Sequence, residues 1–171
     1  MGPRGQVAGR EGGLNTMTAT RSFDSIAALK AYVGQPAVTG EPILIDQAMI
    51  DTFAGVTQDH QWIHVDPERA AAESPFGTTI AHGLLTLSLI TGWYHRLFAF
   101  PGRKLALNYG FDKVRFTAPV PCGSALAGRF RLERVEDIRE NEARCVWHVE
   151  VGAEGAERPA MVAQWLMQLR Y

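Results

Sequence analysis

The sequence predicts a single α+β domain in which a curved antiparallel β-sheet wraps around one long central buried α-helix. Residues 84–94 are apolar on nearly every side, which is typical of a helix at the centre of a core. After residue 102, apolar side chains recur at every second position in several runs, as in antiparallel strands with one packed face. A chain of 171 residues suits one domain with a substantial core.

The composition is that of an ordinary globular protein of the cytoplasm. The net charge of −1 gives no electrostatic basis for binding nucleic acid or an anionic membrane surface. Cys122 and Cys145 are far apart and form no metal or redox motif, so we expect free thiols in a reducing compartment. The first residues contain no apolar run of signal-peptide length, and residues 84–94 are too few to span a bilayer.

The chain begins with a segment that we expect to be disordered. Residues 1–20 are rich in Gly and Arg and show no periodicity, so the predicted domain covers residues 21–171. Apolar residues at helical spacing predict a short amphipathic helix within residues 25–34. A short apolar strand is predicted at residues 42–45.

Two helix start signals follow, separated by a segment with polar residues. Asp46 is the predicted N-cap of a helix that ends near Thr57. Residues 58–65 are predicted to be non-helical. Asp66 and the proline after it predict the start of another helix, because proline is favoured at the first helical position. A loop at residues 74–79 then leads into the central helix.

The C-terminal part predicts strands with one apolar and one mostly polar face. Such alternation is typical of an antiparallel sheet packed on one side. The alternating apolar sets are Leu105, Leu107 and Tyr109; Val114 and Phe116; Leu126, Phe130 and Leu132; Ala143, Cys145, Trp147, Val149 and Val151; and Met161, Ala163, Trp165, Met167 and Leu169.

Asp59 and His64 are the first candidates for chemistry. Both carry protons, and they lie in an irregular segment beside Trp62 and Ile63. Apolar neighbours lower the local dielectric, and this is how acid–base groups are tuned. The alternative is structural, with Asp59 capping a turn and His64 bonding a carbonyl group.

Gly83 is a candidate oxyanion-binding residue at the start of the central helix. The first amides of a helix lack acceptors within it, and the helix dipole there favours negative charge. A residue without a side chain lets a substrate carbonyl approach that amide. The alternative is that Gly83 only permits close packing. His82, which precedes it, is a candidate for substrate binding, or else orients the loop through a backbone hydrogen bond.

Three blocks of sequence resemble the MaoC-like (R)-specific enoyl-CoA hydratases of the hot-dog fold. They are QDHQWIH at residues 58–64, AHGL at 81–84, and NYGF with VRFTAPV across 108–120. The blocks occur in the order of the family, and the resemblance extends from residue 46 to the C-terminus. The first block also resembles a subgroup that includes the NodN-like proteins.

The family motif Gly-Asp-x-Asn-Pro-hydrophobic-His is matched at its catalytic positions by Asp59 and His64. Gln58, Gln61 and Trp62 depart from its Gly, Asn and Pro. Because of these departures, a non-catalytic acyl-CoA-binding module is an alternative hypothesis. The fold also hosts acyl-CoA thioesterases, which are a second alternative.

The resemblance implies reversible syn hydration of a trans-2-enoyl-CoA. Asp59 would activate water, His64 would take part in proton transfer, and the Gly83 amide would bind the thioester oxygen. Gln61, in place of the family Asn, would hold a carbonyl group or water. Thr91 aligns with a position that often carries a supporting hydroxyl, although a hydrogen bond from Thr91 to a carbonyl in the core is the alternative.

The resemblance also implies a homodimer that pairs sheets edge to edge, which would remove an open sheet edge. On this resemblance, a CoA thioester would be the substrate, and no cofactor is expected. No metal site is predicted, since His60 and His64 lie in a segment predicted to be non-helical and have no Cys/His cluster beside them.

Overall fold

The structure, a computed structural model, describes residues 21–153 and 155–171, so the extension predicted at residues 1–20 lies outside the described part. The helices are α1 (Ile26–Tyr32), α2 (Gln47–Thr57), α3 (Trp62–Val65), α4 (Pro67–Glu73), α5 (Gly83–Ser88) and α6 (Ile90–Leu97). The strands are β1 (Arg21–Ser22), β2 (Val38–Thr39), β3 (Ile43–Ile45), β4 (Phe98–Ala99), β5 (Leu105–Phe116), β6 (Ser124–Arg139), β7 (Glu142–Ala153) and β8 (Met161–Arg170). Within the described ranges, no helix is both long and apolar enough to cross a membrane.

One antiparallel sheet covers the helical layer. Its strand order is β2-β6-β7-β8-β5, and β3 pairs with β6 as well. The apolar faces predicted for β6, β7 and β8 are buried in the core, which confirms the α+β class and the alternation in these strands. β1 and β4 form a separate parallel pair. Both cysteines are free, as predicted, and burial raises the pKa of the Cys145 thiol to about 12.

The central helix differs from the prediction in its exposure and continuity. It is divided into α5 and α6 at Leu89, whose dihedral angles of −65° and −20° remain helical. Ile90, Trp93 and Tyr94 are fully buried against the sheet, but Leu84 is 59% exposed. The prediction of a helix without a solvent face was wrong for the single chain, because the sheet covers only one side of it.

Trp93 fixes the position of the helix on the sheet. Its indole lies across two neighbouring residues, Gly40 and Gly128 of β6, where a Cβ atom would stand 2.5 Å and 2.6 Å from the ring, respectively. The indole Nε1 donates to the Glu41 carbonyl at 2.8 Å. The two glycines are therefore required by the close approach of the ring.

The edge strand β5 presents a different face from the predicted one. Leu105, Leu107 and Tyr109 are exposed, and the Tyr109 ring packs under the Arg144 guanidinium at 4.1 Å on the outer side of the sheet. A register shift after Asn108 changes the alternation further along the strand. Alternation identifies two faces but does not say which one meets the helix.

The N-cap residues predicted before α2 and α4 are confirmed. A carboxylate oxygen of Asp46 accepts from Met49 N at 2.9 Å, and one of Asp66 accepts from Arg69 N at 3.0 Å. The non-helical prediction for residues 58–65 was wrong in part, because its last four residues form α3.

Candidate active site

Asp59 and His64 are positioned by the turn between α2 and α3. Gln58 ends α2 in the left-handed region, with φ 61°, so the chain reverses there. Asp59 is exposed, and its carboxylate accepts from Gln61 N at 3.4 Å. His64, on the single turn of α3, is only 8% exposed. The pair thus combines an accessible carboxylate with a buried imidazole.

The tautomer of His64 follows from its hydrogen bond. Its Nδ1 lies 2.7 Å from the carbonyl oxygen of Ile80. A carbonyl oxygen only accepts, so Nδ1 carries a proton and donates it. In the neutral ring, Nε2 is therefore left with a lone pair. His64 thus offers Nε2 as a hydrogen-bond acceptor and base.

His82 stacks on His64, with ring centroids 3.8 Å apart and an interplanar angle of 27°. Its Nε2 lies 3.0 Å from the Asp59 carbonyl oxygen and so donates to it. This is the backbone contact that the alternative prediction for His82 expected. The His82 Nδ1 is buried and finds no hydrogen-bond partner within residues 21–153 and 155–171. His82 therefore holds the backbone of Asp59 beside the ring of His64.

The three side chains converge on one point. A carboxylate oxygen of Asp59 and a ring nitrogen each of His64 and His82 lie within 4.8 Å of one another. This set contains possible metal ligands, which the sequence prediction did not foresee. Zinc needs in-plane lone pairs that meet about 2.0–2.1 Å from each nitrogen. Two rings stacked 3.8 Å apart with a tilt of 27° do not share a plane in which one ion could lie at that distance from both nitrogens.

A cavity of about 330 Å³ opens beside His64. Gly83, Thr86, Phe116 and Ala160 are among the residues that line it. Gly83 is the first residue of α5, so its amide has no acceptor within the helix. A Cβ atom at Gly83 would stand 3.0 Å from the Phe116 ring, so any side chain at this position would press against that ring.

The other predicted contacts are distributed differently. Gln61 is exposed and meets Asp59 through its backbone amide. Thr91 is exposed, donates to the Ser88 carbonyl at 3.0 Å and lines a separate cavity of about 440 Å³ with Arg103. Thr91 therefore lies outside the cavity beside His64, and its role as a substrate contact stays a prediction.

Thr86 is a cavity residue that the sequence reasoning missed. It is buried and shares the cavity wall with Gly83 and His64. Residues three apart on a helix lie on the same face. The Gly83-x-x-Thr86 spacing was therefore an available signal.

Comparisons with known proteins identify the family of the chain. The family described as MaoC like domain matches residues 29–152. The chain is 45% identical over 148 residues to 3-hydroxyacyl-thioester dehydratase Z of Mycobacterium tuberculosis (strain ATCC 25618 / H37Rv), covering 86% of this chain and 97% of that protein. It is 46% identical over 143 residues to nodulation protein N of Rhizobium meliloti (strain 1021), covering 83% and 89%.

The fold also matches a solved structure, the R-hydratase PhaJ1 from Pseudomonas aeruginosa. The TM-score is 0.61 at 26% sequence identity, over 86% of this chain and 84% of that one. These findings confirm the predicted hot-dog fold and the resemblance stated from the sequence. The chain therefore belongs to the MaoC-like dehydratase family, whose members are hydro-lyases.

Proposed function

We propose that the chain is an (R)-specific enoyl-CoA hydratase, which adds water reversibly and syn to trans-2-enoyl-CoA and forms (R)-3-hydroxyacyl-CoA. The observation that carries this proposal is that the Asp59 carboxylate and the His64 imidazole lie within 4.8 Å of each other, and that His64 lines a cavity together with Gly83. The relative from M. tuberculosis is named for the reverse direction on a 3-hydroxyacyl thioester.

The water molecule is held by two acceptors. It donates one hydrogen to the Asp59 carboxylate and the other to the unprotonated Nε2 of His64, so its oxygen lone pair faces the substrate. As the oxygen bonds to Cβ, Asp59 accepts a proton and the π electrons move to the thioester oxygen. The Gly83 amide stabilises that developing charge.

The reaction is completed by proton return. The enolate collapses as Cα takes a proton from the Asp59–His64 pair, namely the proton that Asp59 accepted from water, so both groups return to their starting state. Both new bonds form on the face of the substrate that meets Asp59 and His64, which makes the addition syn. The water, the proton donor and the amide are all supplied by the protein and solvent, so the proposed reaction uses no cofactor.

A second copy of the chain completes the proposed enzyme. The edge strand β5 presents an unpaired backbone and exposed apolar side chains, including Tyr109 at 57% exposure, and Leu84 of α5 adds to them. Such an edge is stabilised by pairing. We infer a cytoplasmic homodimer joined along β5, with the acyl group near the interface.

The test follows both possible products of an acyl thioester. Wild-type protein is mixed with crotonyl-CoA, and enoyl absorbance and free thiol are recorded in parallel. We expect loss of the enoyl absorbance, no thiol release, and (R)-3-hydroxybutyryl-CoA by chiral chromatography. Thiol release would assign the protein to the thioesterases, and an (S) product would overturn the stereochemical proposal. Binding without either product would make the chain an acyl-CoA-binding module.

Thr86 and Thr91 provide a matched pair for testing the cavity assignment. We expect Thr86→Val to lower kcat about fivefold, as the loss of one hydrogen bond of about 1 kcal/mol predicts. Thr91→Val should keep the wild-type kcat, because Thr91 lies outside the cavity beside His64. Steady-state kinetics on crotonyl-CoA measures both. The reverse pattern would restore Thr91 as the substrate contact.

A further inference from the structure

Gln47, the first residue of α2, connects the segments that surround His64. Its Nε2 donates to the His64 carbonyl at 2.8 Å and to the Asp51 carboxylate at 2.8 Å. Its Oε1 accepts from the Thr79 hydroxyl at 2.5 Å. One amide side chain therefore joins α2, α3 and the strand-like segment before α5.

These hydrogen bonds belong to a network that surrounds the His64 imidazole. Thr79, 1% exposed, precedes Ile80, whose carbonyl accepts from His64 Nδ1. Ile80 N in turn donates to the Ile63 carbonyl at 3.1 Å. Gln47 thus holds the backbone of His64 and, through Thr79, the carbonyl that orients the His64 ring.

The orientation matters because the ring has two nitrogens. If the Ile80 carbonyl shifts away, the proton on Nδ1 loses its acceptor and the Nε2–H tautomer becomes competitive. The Nε2–H tautomer removes the lone pair that accepts from water. A displacement of about 1 Å at such a site lowers a rate by about 100-fold.

We propose that Gln47 and Thr79 are positioning residues that fix the tautomer and orientation of His64. The catalytic consequence rests on the proposed hydratase function, whereas the tautomer itself does not. Neither side chain lines the cavity beside His64 in the described chain. Their effect on hydration therefore passes through His64.

The test uses variants that remove hydrogen bonds while keeping side-chain size. Gln47→Met and Thr79→Val remove the two contacts, and Thr79→Ser restores the hydroxyl. Asp51→Ala is the matched control, because it removes the exposed contact of Gln47 and leaves the bond to His64. Full-length protein labelled with ¹⁵N-histidine reports the tautomer by NMR, and His64→Gln assigns the signal.

We expect Gln47→Met and Thr79→Val each to lower kcat by about 10- to 100-fold with KM within about twofold. The His64 signal should change from Nδ1–H to a mixture of tautomers in both. The double variant should lose no more of its kcat than the single variant with the larger loss, because both residues act through the His64 imidazole. Asp51→Ala and Thr79→Ser should retain the wild-type tautomer and kcat.

A His64 that keeps the Nδ1–H tautomer in both variants overturns the proposal. A loss of kcat in Asp51→Ala equal to that in Gln47→Met also overturns it, since the loss would then come from a disturbance of α2 and not from the bond to His64. If Gln47→Met does not fold, the His64 tautomer and the kcat of Thr79→Val, compared with those of Thr79→Ser, test the proposal. An inactive wild type whose tautomer shifts in the variants would overturn the hydratase function and leave the positioning role supported.

Discussion

Alanine in place of Asp59 or His64 is expected to lower kcat for crotonyl-CoA hydration by about 10²- to 10⁴-fold, the range of general acid–base catalysis. Each substitution removes one of the two acceptors that hold the water in the proposed mechanism. KM should change little, because these groups contact the reacting atoms more than the bulk of the thioester. Initial rates of enoyl loss, measured beside circular dichroism of each variant, give the result.

The double variant distinguishes two groups that act together on one water molecule from two groups that act independently. If Asp59 and His64 act on one water, Asp59→Ala/His64→Ala should be no slower than the slower single variant. His60→Ala is the control, since His60 is exposed in the same turn. Multiplicative losses in the double variant, or a comparable loss in His60→Ala, would contradict the assignment of a shared water.

Gly128→Ala is expected to destabilise the fold by about 3 kcal/mol, at the upper end of the usual cost of overpacking a core. The added Cβ would stand 2.6 Å from the Trp93 indole, which is fully buried and held at Nε1 by the Glu41 carbonyl. The ring has little room to shift, because the neighbouring Gly40 also lies against it, with a Cβ position 2.5 Å from the ring. The melting temperature should fall by roughly 6–12 °C for a domain of this size.

Gly55→Ala is the matched control for the effect of glycine itself. Gly55 lies within α2, where a Cβ atom would meet nothing within 4 Å. Alanine there should stabilise the protein by up to about 1 kcal/mol, because it favours the helix more than glycine does. Urea unfolding measures both variants. A Gly128→Ala protein as stable as wild type would show that the core accommodates the methyl group by moving Trp93.

Local signals in the sequence were sufficient for the longer elements and for proposing the two main candidate site residues. The N-caps Asp46 and Asp66 depend on hydrogen bonds three residues away, which short sequence patterns contain. In β7, in β8 and in β6 up to Leu132, one face meets the core, so the alternating residues correspond to burial. Asp59 and His64 were found through the spacing of a family motif.

Contacts between distant residues were not available from such signals. The face of β5 that meets the helix depends on pairing with β8 and on a bulge, neither of which the alternation encodes. Gln47 reaches His64 across 17 residues and Thr79 across 32. The backbone contact of His82 with Asp59 spans 23 residues. Gln47 and Thr79 were therefore missed because their roles arise only in the folded chain, and the backbone hydrogen bond predicted for His82 could not be assigned a partner from the sequence.

The hydrogen bond between the His64 ring and the Ile80 carbonyl also closes a loop of chain. The chain between His64 and Ile80 contains α4 and the turn at residues 74–79. A second hydrogen bond, from Ile80 N to the Ile63 carbonyl, joins the ends of the same loop. In a loop whose ends are fixed, doubling the length costs only about 0.6 kcal/mol. Insertions and deletions between α4 and residue 79 can therefore accumulate in related chains while His64 keeps its place.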